Sequence, residues 1–439
     1  MKNRNPTTVF DGPPRFDKGC STKVGDDMNI LKGKNVNLTI MLFIVTLFEV
    51  TCLLTLLAKA EEQYRMNIII TMGVYILVQY CYFFSAKIIL KRRGFEVELI
   101  AFLLTSIGLS ITLSVYPKLA VKQLVAVLIG IAGFIFVQWL LRDIDRIMFL
   151  RIPIAICAVG LLAFTLVFAK FTNGAKNWLY IGGLSIQPSE IVKVAFILVG
   201  AATLERLQSN KSLTKFIVFA IGCVGCLFLM YDFGTALIFF FTFIVISFMR
   251  SGDVRTIALV CTGAFMGGLL VLLFKPYVAT RFASFGHVWE HFDTAGFQQT
   301  RTMIYSTSGG LFGVGLGNGK LRDIYAATED LVFGVVCEEF GMIMAGAILL
   351  SYVALLVYSI RHSKYARSSF YAIVACAAAA LMIFQASLNV FGVNDILPWT
   401  GVTLPFISRG GSSIIGCWML MALIKSVDRS TYRFGGVRQ

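Results

Sequence analysis

Apolar residues along this chain fall into runs near twenty residues long, separated by short polar or basic breaks. A run of that length crosses about 30 Å of hydrocarbon as a helix. Backbone groups in lipid must bond within their own segment, so helices are the economical solution. The candidate spans are 37–58, 67–90, 98–116, 119–141, 151–171, 189–205, 214–231, 234–250, 256–276, 331–360, 369–393 and 410–425, twelve in all. One polar stretch stands apart, from Arg281 to Glu339. It holds nine Gly and two of the three His, His287 and His291. The pattern predicts an all-α polytopic membrane protein with one long excursion between its ninth and tenth helices.

Composition strengthens this reading. The 439 residues are 57% hydrophobic and only 14% charged, where soluble domains carry about 25%. The formal net charge of +15 raises the question of nucleic acid. The basic residues, however, recur after alternate spans: seven Lys or Arg in 1–36, then Lys91-Arg92-Arg93, Arg142, Arg146 and Arg151, Arg206 with Lys211, Arg250 with Arg255, Arg361 with Lys364, and Lys425 onward. Cytoplasmic loops retain Lys and Arg, so this spacing predicts cytoplasmic termini and no nucleic-acid partner. The segments 172–188, 277–330 and 394–409 then face outward. The cysteines lie mostly in apolar runs, and Cys223 and Cys226 lack a second pair for zinc, so no metal centre is predicted from them.

Ionisable groups near hydrocarbon cost about 2.5–3.5 kcal/mol on insertion scales and call for a reason. Gln187-Pro188-Ser189-Glu190 opens one span, with Lys193 three residues beyond Glu190 on the same helical face. This reads either as a capped helix with a local ion pair or as a polar cluster facing a cavity. Asp232 opens the eighth span as an N-cap or as part of the same cluster. Glu338-Glu339 lie inside the apolar run 331–360, and adjacent carboxylates on a helix point apart, so at least one faces the interior. The run Gly309–Gly319 lacks the Gly-Lys-Ser/Thr of a nucleotide loop and reads as backbone lying closely against the bilayer surface.

Several motifs in order resemble the SEDS family (shape, elongation, division and sporulation; FtsW, RodA and SpoVE). They are Asn177-Trp178 with Gln187-Pro188-Ser189-Glu190 and Lys193; Asp232-Phe233-Gly234-Thr235; Gly296-Phe297-Gln298; Ser308-Gly309-Gly310-Leu311; Glu329 to Phe333; Glu338-Glu339-Phe340-Gly341; and Gln385, Asn389 and Leu404 to Ser413. The resemblance covers 98–425 and implies a ten-helix core with the outer loop 277–330. On that basis 1–36 is a cytoplasmic basic leader, 37–97 holds two additional transmembrane helices, and 426–439 is a cytoplasmic tail.

The resemblance implies a peptidoglycan glycosyltransferase of the bacterial cytoplasmic membrane. Such an enzyme polymerises lipid II on the outer face, with inversion, beside a class B penicillin-binding protein. A hydroxyl attacks the anomeric carbon of a lipid-linked sugar, which calls for a carboxylate base. The departing pyrophosphate calls for cations or a divalent ion, Mg or Mn. Ungapped placement puts His291 at the family's catalytic Asp, with Glu290 before it and Asp293 two beyond, so Asp293 and then Glu290 are the implied bases. The candidate cations are Lys176, Lys193, Arg281, Arg301 and Arg409. The family motifs add Trp178, Glu190, Asp232, Gln298, Ser408 and Ser412 to the implied substrate site. The sequence departs from the family at Arg409, where Tyr is usual, and at Asn177, where Arg is usual. Two other readings fit a polytopic chain: a transporter or flippase of the lipid-linked precursor, and a non-catalytic scaffold for the penicillin-binding protein.

Overall fold

The computed structural model describes residues 38–88, 94–172, 174–181, 184–205, 210–252, 258, 262, 285–294 and 296–428. All of the predicted span 256–276 but residues 258 and 262, together with Arg281, the leader 1–36 and the basic tail from Arg429, lies outside them. The chain divides into two compact units, Met1–Val45 and Thr46–Gln439. Of the first, only the opening of helix α1 is described.

The described helices follow the apolar runs. They are α1 (Leu38–Lys59), α2 (Glu62–Ile88), α3 (Glu96–Val115), α4 (Ala120–Leu140), α5 (Ile144–Phe168), α6 (Ser189–Glu205), α7 (Asn210–Leu229), α8 (Phe233–Ser251), α9 (Phe297–Ser308), α10 (Val332–Glu339), α11 (Gly341–Ser363), α12 (Ser369–Val393) and α13 (Gly411–Lys425). Eight of these are long and apolar enough to span a membrane, and α13 and most of α7 are shorter apolar helices. The protein is a multi-pass membrane protein. Enclosed helices α3 and α12 contrast with α1, α5 and α11, which leave most of their sides open. Apolar sides that no protein covers are shielded from water by lipid instead, so open sides of this kind mark the lipid boundary.

Two expectations are corrected. The run 331–360 is two helices, broken at Gly341, whose φ is +86°. L-residues avoid that region, and a Cβ there would also collide with Gly313 N and Leu311 O. The break lets the amides of Met342 and Ile343 donate to Gly310 O (3.0 Å) and Leu311 O (3.2 Å). The glycine-rich loop thus caps α11. Its close partner within the protein is backbone of the bend at 339–343. Second, the segment read as the loop 172–188 contains an antiparallel meander of β1 (Lys170–Thr172), β2 (Ala175–Ile181) and β3 (Leu184–Ile186), with Leu179 opposite Ile186. Lys176 N donates to Met230 O at 2.8 Å, fastening β2 to the end of α7.

The core centres on α13. Trp418 is fully buried, with edge-on contacts to Phe102 on α3 (4.9 Å), Phe134 on α4 (5.9 Å) and Phe406 (5.8 Å). Aromatic pairs prefer this geometry. Gly130 makes the room, since a Cβ there would lie 2.8 Å from the Trp418 ring. At the far end of α13, buried Lys425 meets Glu98 (3.4 Å) and Asp428 (3.3 Å) and donates to Gly94 O (2.8 Å).

Helix α3 passes the 394–410 segment with backbone nearly touching: a Cβ on Gly108 would collide with Phe406 O and lie 3.0 Å from Ile407 O. Gly108→Ala is therefore expected to destabilise the protein by about 1–3 kcal/mol, the usual cost of overpacking. A lowered unfolding midpoint of the purified protein in detergent is the measurement; an unchanged midpoint contradicts the packing.

Candidate functional site

One end of the bundle collects the sheet and the segments 285–331 and 394–410. Two polar chains meet there at the start of α13. In the first, Lys193 Nζ lies 2.8 Å from Glu190 Oε1 and donates to Gln385 Oε1 at 2.9 Å. Gln385 Nε2 donates to Thr403 O at 2.9 Å, and Thr403 Oγ1 lies 3.1 Å from Ser413 Oγ. Lys193 and Glu190 are both buried, so each charge depends on the other. Helix α13 reaches α6 closely because Gly416 offers no side chain: a Cβ would stand 3.0 Å from Glu190 O.

In the second chain, Gln187 N donates to Ser412 Oγ (3.1 Å) and Gln187 Nε2 donates to Asp232 Oδ2 (3.1 Å). Asn177 Nδ2 donates to the same oxygen at 2.8 Å, while Asp232 Oδ1 accepts from Thr235 N at 3.1 Å. Asp232 is thus both the N-cap of α8 and the centre of a side-chain cluster, joining the two sequence readings. Asn177 donates here from the position where the resemblance noted above implies Arg.

The 394–410 segment is fixed by backbone contacts. Asn389 Nδ2 donates to Asp330 O (2.8 Å) and Val402 O (2.7 Å). Ser408 Oγ donates to Glu329 O (2.6 Å) and accepts from Leu404 N (2.7 Å). Arg409 pairs with Glu329, donates from Nε to Thr328 Oγ1 (3.0 Å) and lies over the Tyr116 ring. Tyr231, Ala326, Asp395 and Phe406 hold φ values of +57° to +65°. Each such residue costs about 1–2 kcal/mol, and all four sit at this end, where surrounding contacts over-determine the backbone.

The glycine-rich loop forms a third element. Glu338 and Glu339 are both buried. Glu338 accepts from Lys320 N (2.7 Å) and Leu321 N (3.0 Å). Glu339 accepts from Ser114 Oγ at 2.8 and 2.9 Å. The short helix α10 precedes the spanning helix α11. Burial pushes the Glu339 carboxyl up to about 7, against the Ser114 hydrogen bond, which lowers it, with Glu338 adding a smaller upward push.

The implied bases lie apart from these networks. Glu290 is exposed and among the described residues pairs only with His287 Nδ1 (3.2 Å); Asp293 is exposed and pairs with no described residue. Gln298 Nε2 donates to Tyr325 O (3.1 Å). Arg301 stacks on Phe292 (4.5 Å) and Phe297 (5.4 Å), which brings its guanidinium beside the 290–293 turn, and its Nε has no hydrogen-bond partner among the described residues. Lys176 and Trp178 stand on β2 and are part-buried. The structure therefore joins Glu190, Lys193, Asp232 and Ser412 at the start of α13, sets Ser408 and Arg409 against 328–329, and leaves Glu290, Asp293, Gln298 and Arg301 on the long loop. Five side-chain partners in these two chains were not singled out for the site from sequence. Asn177, Gln187, Gln385 and Ser413 stand inside the quoted motifs, a signal that was available. Thr403 carried none. Among the described residues no three His, Cys, Asp or Glu gather to hold a metal.

A membrane bundle with polar networks concentrated at one end matches the family described as "Cell cycle protein", FtsW/RodA/SpoVE, over residues 95–433. The chain belongs to that family. It is 32% identical over 378 residues to the probable peptidoglycan glycosyltransferase FtsW of Buchnera aphidicola, covering 81% of this chain and 90% of that one. It is 30% identical over 326 residues to stage V sporulation protein E of Bacillus subtilis, covering 71% and 87%. Among solved structures it resembles a chain from work on coordination of polymerization and crosslinking by a peptidoglycan synthase complex (TM-score 0.63, 26% identity, 77% of this chain and 98% of that one). It also resembles Thermus thermophilus rod shape determining protein RodA (TM-score 0.58, 25% identity, 77% and 98%).

Lys193→Met is expected to cost about 3–5 kcal/mol, because it leaves Glu190 charged, buried and unpaired. The double variant Glu190→Gln/Lys193→Met is expected to recover most of that loss. Unfolding midpoints of the three proteins check it; strictly additive losses contradict the pairing.

Proposed function

We propose that this protein polymerises lipid II into glycan strands at the outer face of the bacterial cytoplasmic membrane. The observation that carries the reading is the gathering, at one end of a multi-pass bundle of this family, of buried charged networks beneath a long loop with exposed carboxylates. A lipid-linked substrate fits such an end: its tail stays in the bilayer while its sugars and pyrophosphate reach the loops. Family relatives named as peptidoglycan glycosyltransferases support the same chemistry.

In this mechanism Asp293, or Glu290 beside it, takes the proton from the attacking sugar hydroxyl. Attack opposite the pyrophosphate inverts the anomeric carbon. Arg301 and Lys176, which have no carboxylate partner among the described residues, are the cations offered to the departing pyrophosphate, since Lys193 and Arg409 already have carboxylate partners. Lys193, Asp232, Ser408 and Ser412 hold the floor of the site; Gln298 and Trp178 stand at its rim. A divalent cation fits as part of the substrate complex, because Mg binds through one or two carboxylates plus substrate phosphates rather than through a dedicated cage. It would neutralise charge on the pyrophosphate. The partner is a class B penicillin-binding protein that cross-links the new strand, and residues 1–36 and 426–439 lie in the cytoplasm with 37–97 an addition to the 98–425 core.

Two measurements test this. Purified protein with its partner and labelled lipid II should give glycan strands, and Asp293→Asn or Glu290→Gln should lower turnover about 10²- to 10⁴-fold. Movement of lipid II across vesicles without polymer would make the protein a transporter, and partner binding with neither activity would make it a scaffold. Sidedness is read by single cysteines in a cysteine-free background. A membrane-impermeant maleimide should label position 290 on intact cells, and position 364 only after permeabilisation. The reverse order refutes the orientation.

A further inference from the structure

Helices α1 and α2 precede the family-matched stretch 95–433, and the open sides of α1 suggest a lipid-facing appendage. Its contacts do not. Helix α2 is fastened to the core by Tyr75, whose hydroxyl donates to Phe102 O at 2.5 Å, and by Tyr82, which reaches Glu98 Oε1 at 3.4 Å. Helix α1 is fastened to α2 by Thr46 Oγ1 with Tyr80 OH (3.0 Å) and by Glu49, whose Oε2 accepts from Gln79 Nε2 (3.5 Å). Glu49 and Gln79 are fully buried. A carboxyl so placed is costly unless it meets a partner, so the pair holds α1 in one place and one rotation.

That rotation presents two side chains to the glycine-rich loop. Phe48 packs on Phe340, at the break between α10 and α11, with ring centroids 6.1 Å apart. Lys59 Nζ donates to Leu316 O at 2.8 Å. Phe48 and Lys59 are eleven residues apart, three helical turns, and so share a face. Leu316 lies between Gly315 (φ +93°) and Gly317 (φ +82°), which have no side chains to hold the bend. Lys59 takes their place: a Cβ on Gly317 would lie 3.6 Å from Lys59 Cδ, and one on Gly315 would lie 3.8 Å from its Nζ. The neighbouring amides of Val314 and Gly315 donate to Glu338 O (2.8 Å) and Glu339 O (3.1 Å). No carboxylate pairs with Lys59 among the described residues, so its charge is spent on this one backbone carbonyl.

We infer that α1 is a built-in brace of the glycine-rich loop, with Lys59 and Phe48 as positioning residues that set the loop, and through it the Glu338–Gly341 bend, over the candidate site. The consequence for turnover rests on the proposed polymerase reading. Lys59 touches no reacting group; it acts through the loop.

The test uses the full-length protein in lipid nanodiscs, read by amide hydrogen exchange and by lipid II polymerisation. Lys59→Met keeps the aliphatic stem and removes the donor. Exchange across 314–321 should quicken about five- to tenfold, as expected for losing one charge-assisted hydrogen bond in a locally opening segment, while exchange in α12 and α13 stays unchanged. Lys59→Arg should restore the slow exchange. Phe48→Ala should quicken the same segment independently of Lys59. In the polymerisation assay Lys59→Met should lower kcat several-fold with little change in KM, again restored by Arg. Unchanged 314–321 exchange in both Lys59→Met and Phe48→Ala overturns the brace, and so does quickened exchange with kcat unaltered in an active enzyme. Quickened exchange in a protein whose wild type makes no polymer supports the brace and refutes the polymerase reading instead.

Discussion

Lys193 and Glu190 face each other where water does not reach, and a charge so placed must be answered by an opposite charge and by hydrogen bonds. Lys193 answers twice, to Glu190 on its own helix and to Gln385 on α12, and Gln385 passes the constraint to Thr403. Helix α6 is thereby held to α12 and to the segment that follows α12. The Asp232 cluster attaches to the same place through Gln187 and Ser412. Hydrophobic packing alone would let these helices settle in several ways, since lipid competes equally for apolar faces. Buried polar pairs have far fewer satisfactory arrangements. Their concentration at one end explains how long irregular segments keep defined positions there.

The sequence made the spans legible because apolar length is a local property. Helix α6 begins at Ser189, after the helix-starting proline, and α12 covers 369–393, both as the pattern predicts. The Glu190–Lys193 pair was also legible, as residues three apart on a helix face. What was hidden depends on distant partners. Nothing near Gly341 distinguishes it from other glycines in apolar runs; it breaks the helix because the loop at 310–313 arrives there. The sheet at 170–186 was hidden because its strands are three to seven residues long, too short for alternation to stand out. Lys425 was counted among cytoplasmic charges, yet it is buried against Glu98, a partner more than three hundred residues earlier. Arg409 was read as a cation for the substrate, and its pairing with Glu329 was not written in its local motif.

The structure also divides the candidate site by burial. Glu190, Lys193, Asp232, Ser408 and Ser412 are buried and have partners, as suits groups that hold shape. Glu290 and Asp293 are exposed, and Arg301 retains a nitrogen with no partner among the described residues. Reacting groups need spare capacity for a substrate, and a loop that closes over its ligand supplies it on binding. A residue's share in a motif therefore does not say which of the two duties it has.

The Lys425 contact gives α13 a property of its own. Near one end, Ser412 and Ser413 join the networks of α6 and α8. At the other, Lys425 is held by Glu98, Asp428 and the Gly94 carbonyl, and Trp418 is wedged among three aromatic rings between them. A rod pinned at both tips and gripped in the middle can neither slide along its axis nor turn about it without breaking a buried charge pair. Any rearrangement of the bundle must then come from the helices around this mast, whose lipid-facing sides can tilt at little cost, while α13 stays as the fixed post against which they move.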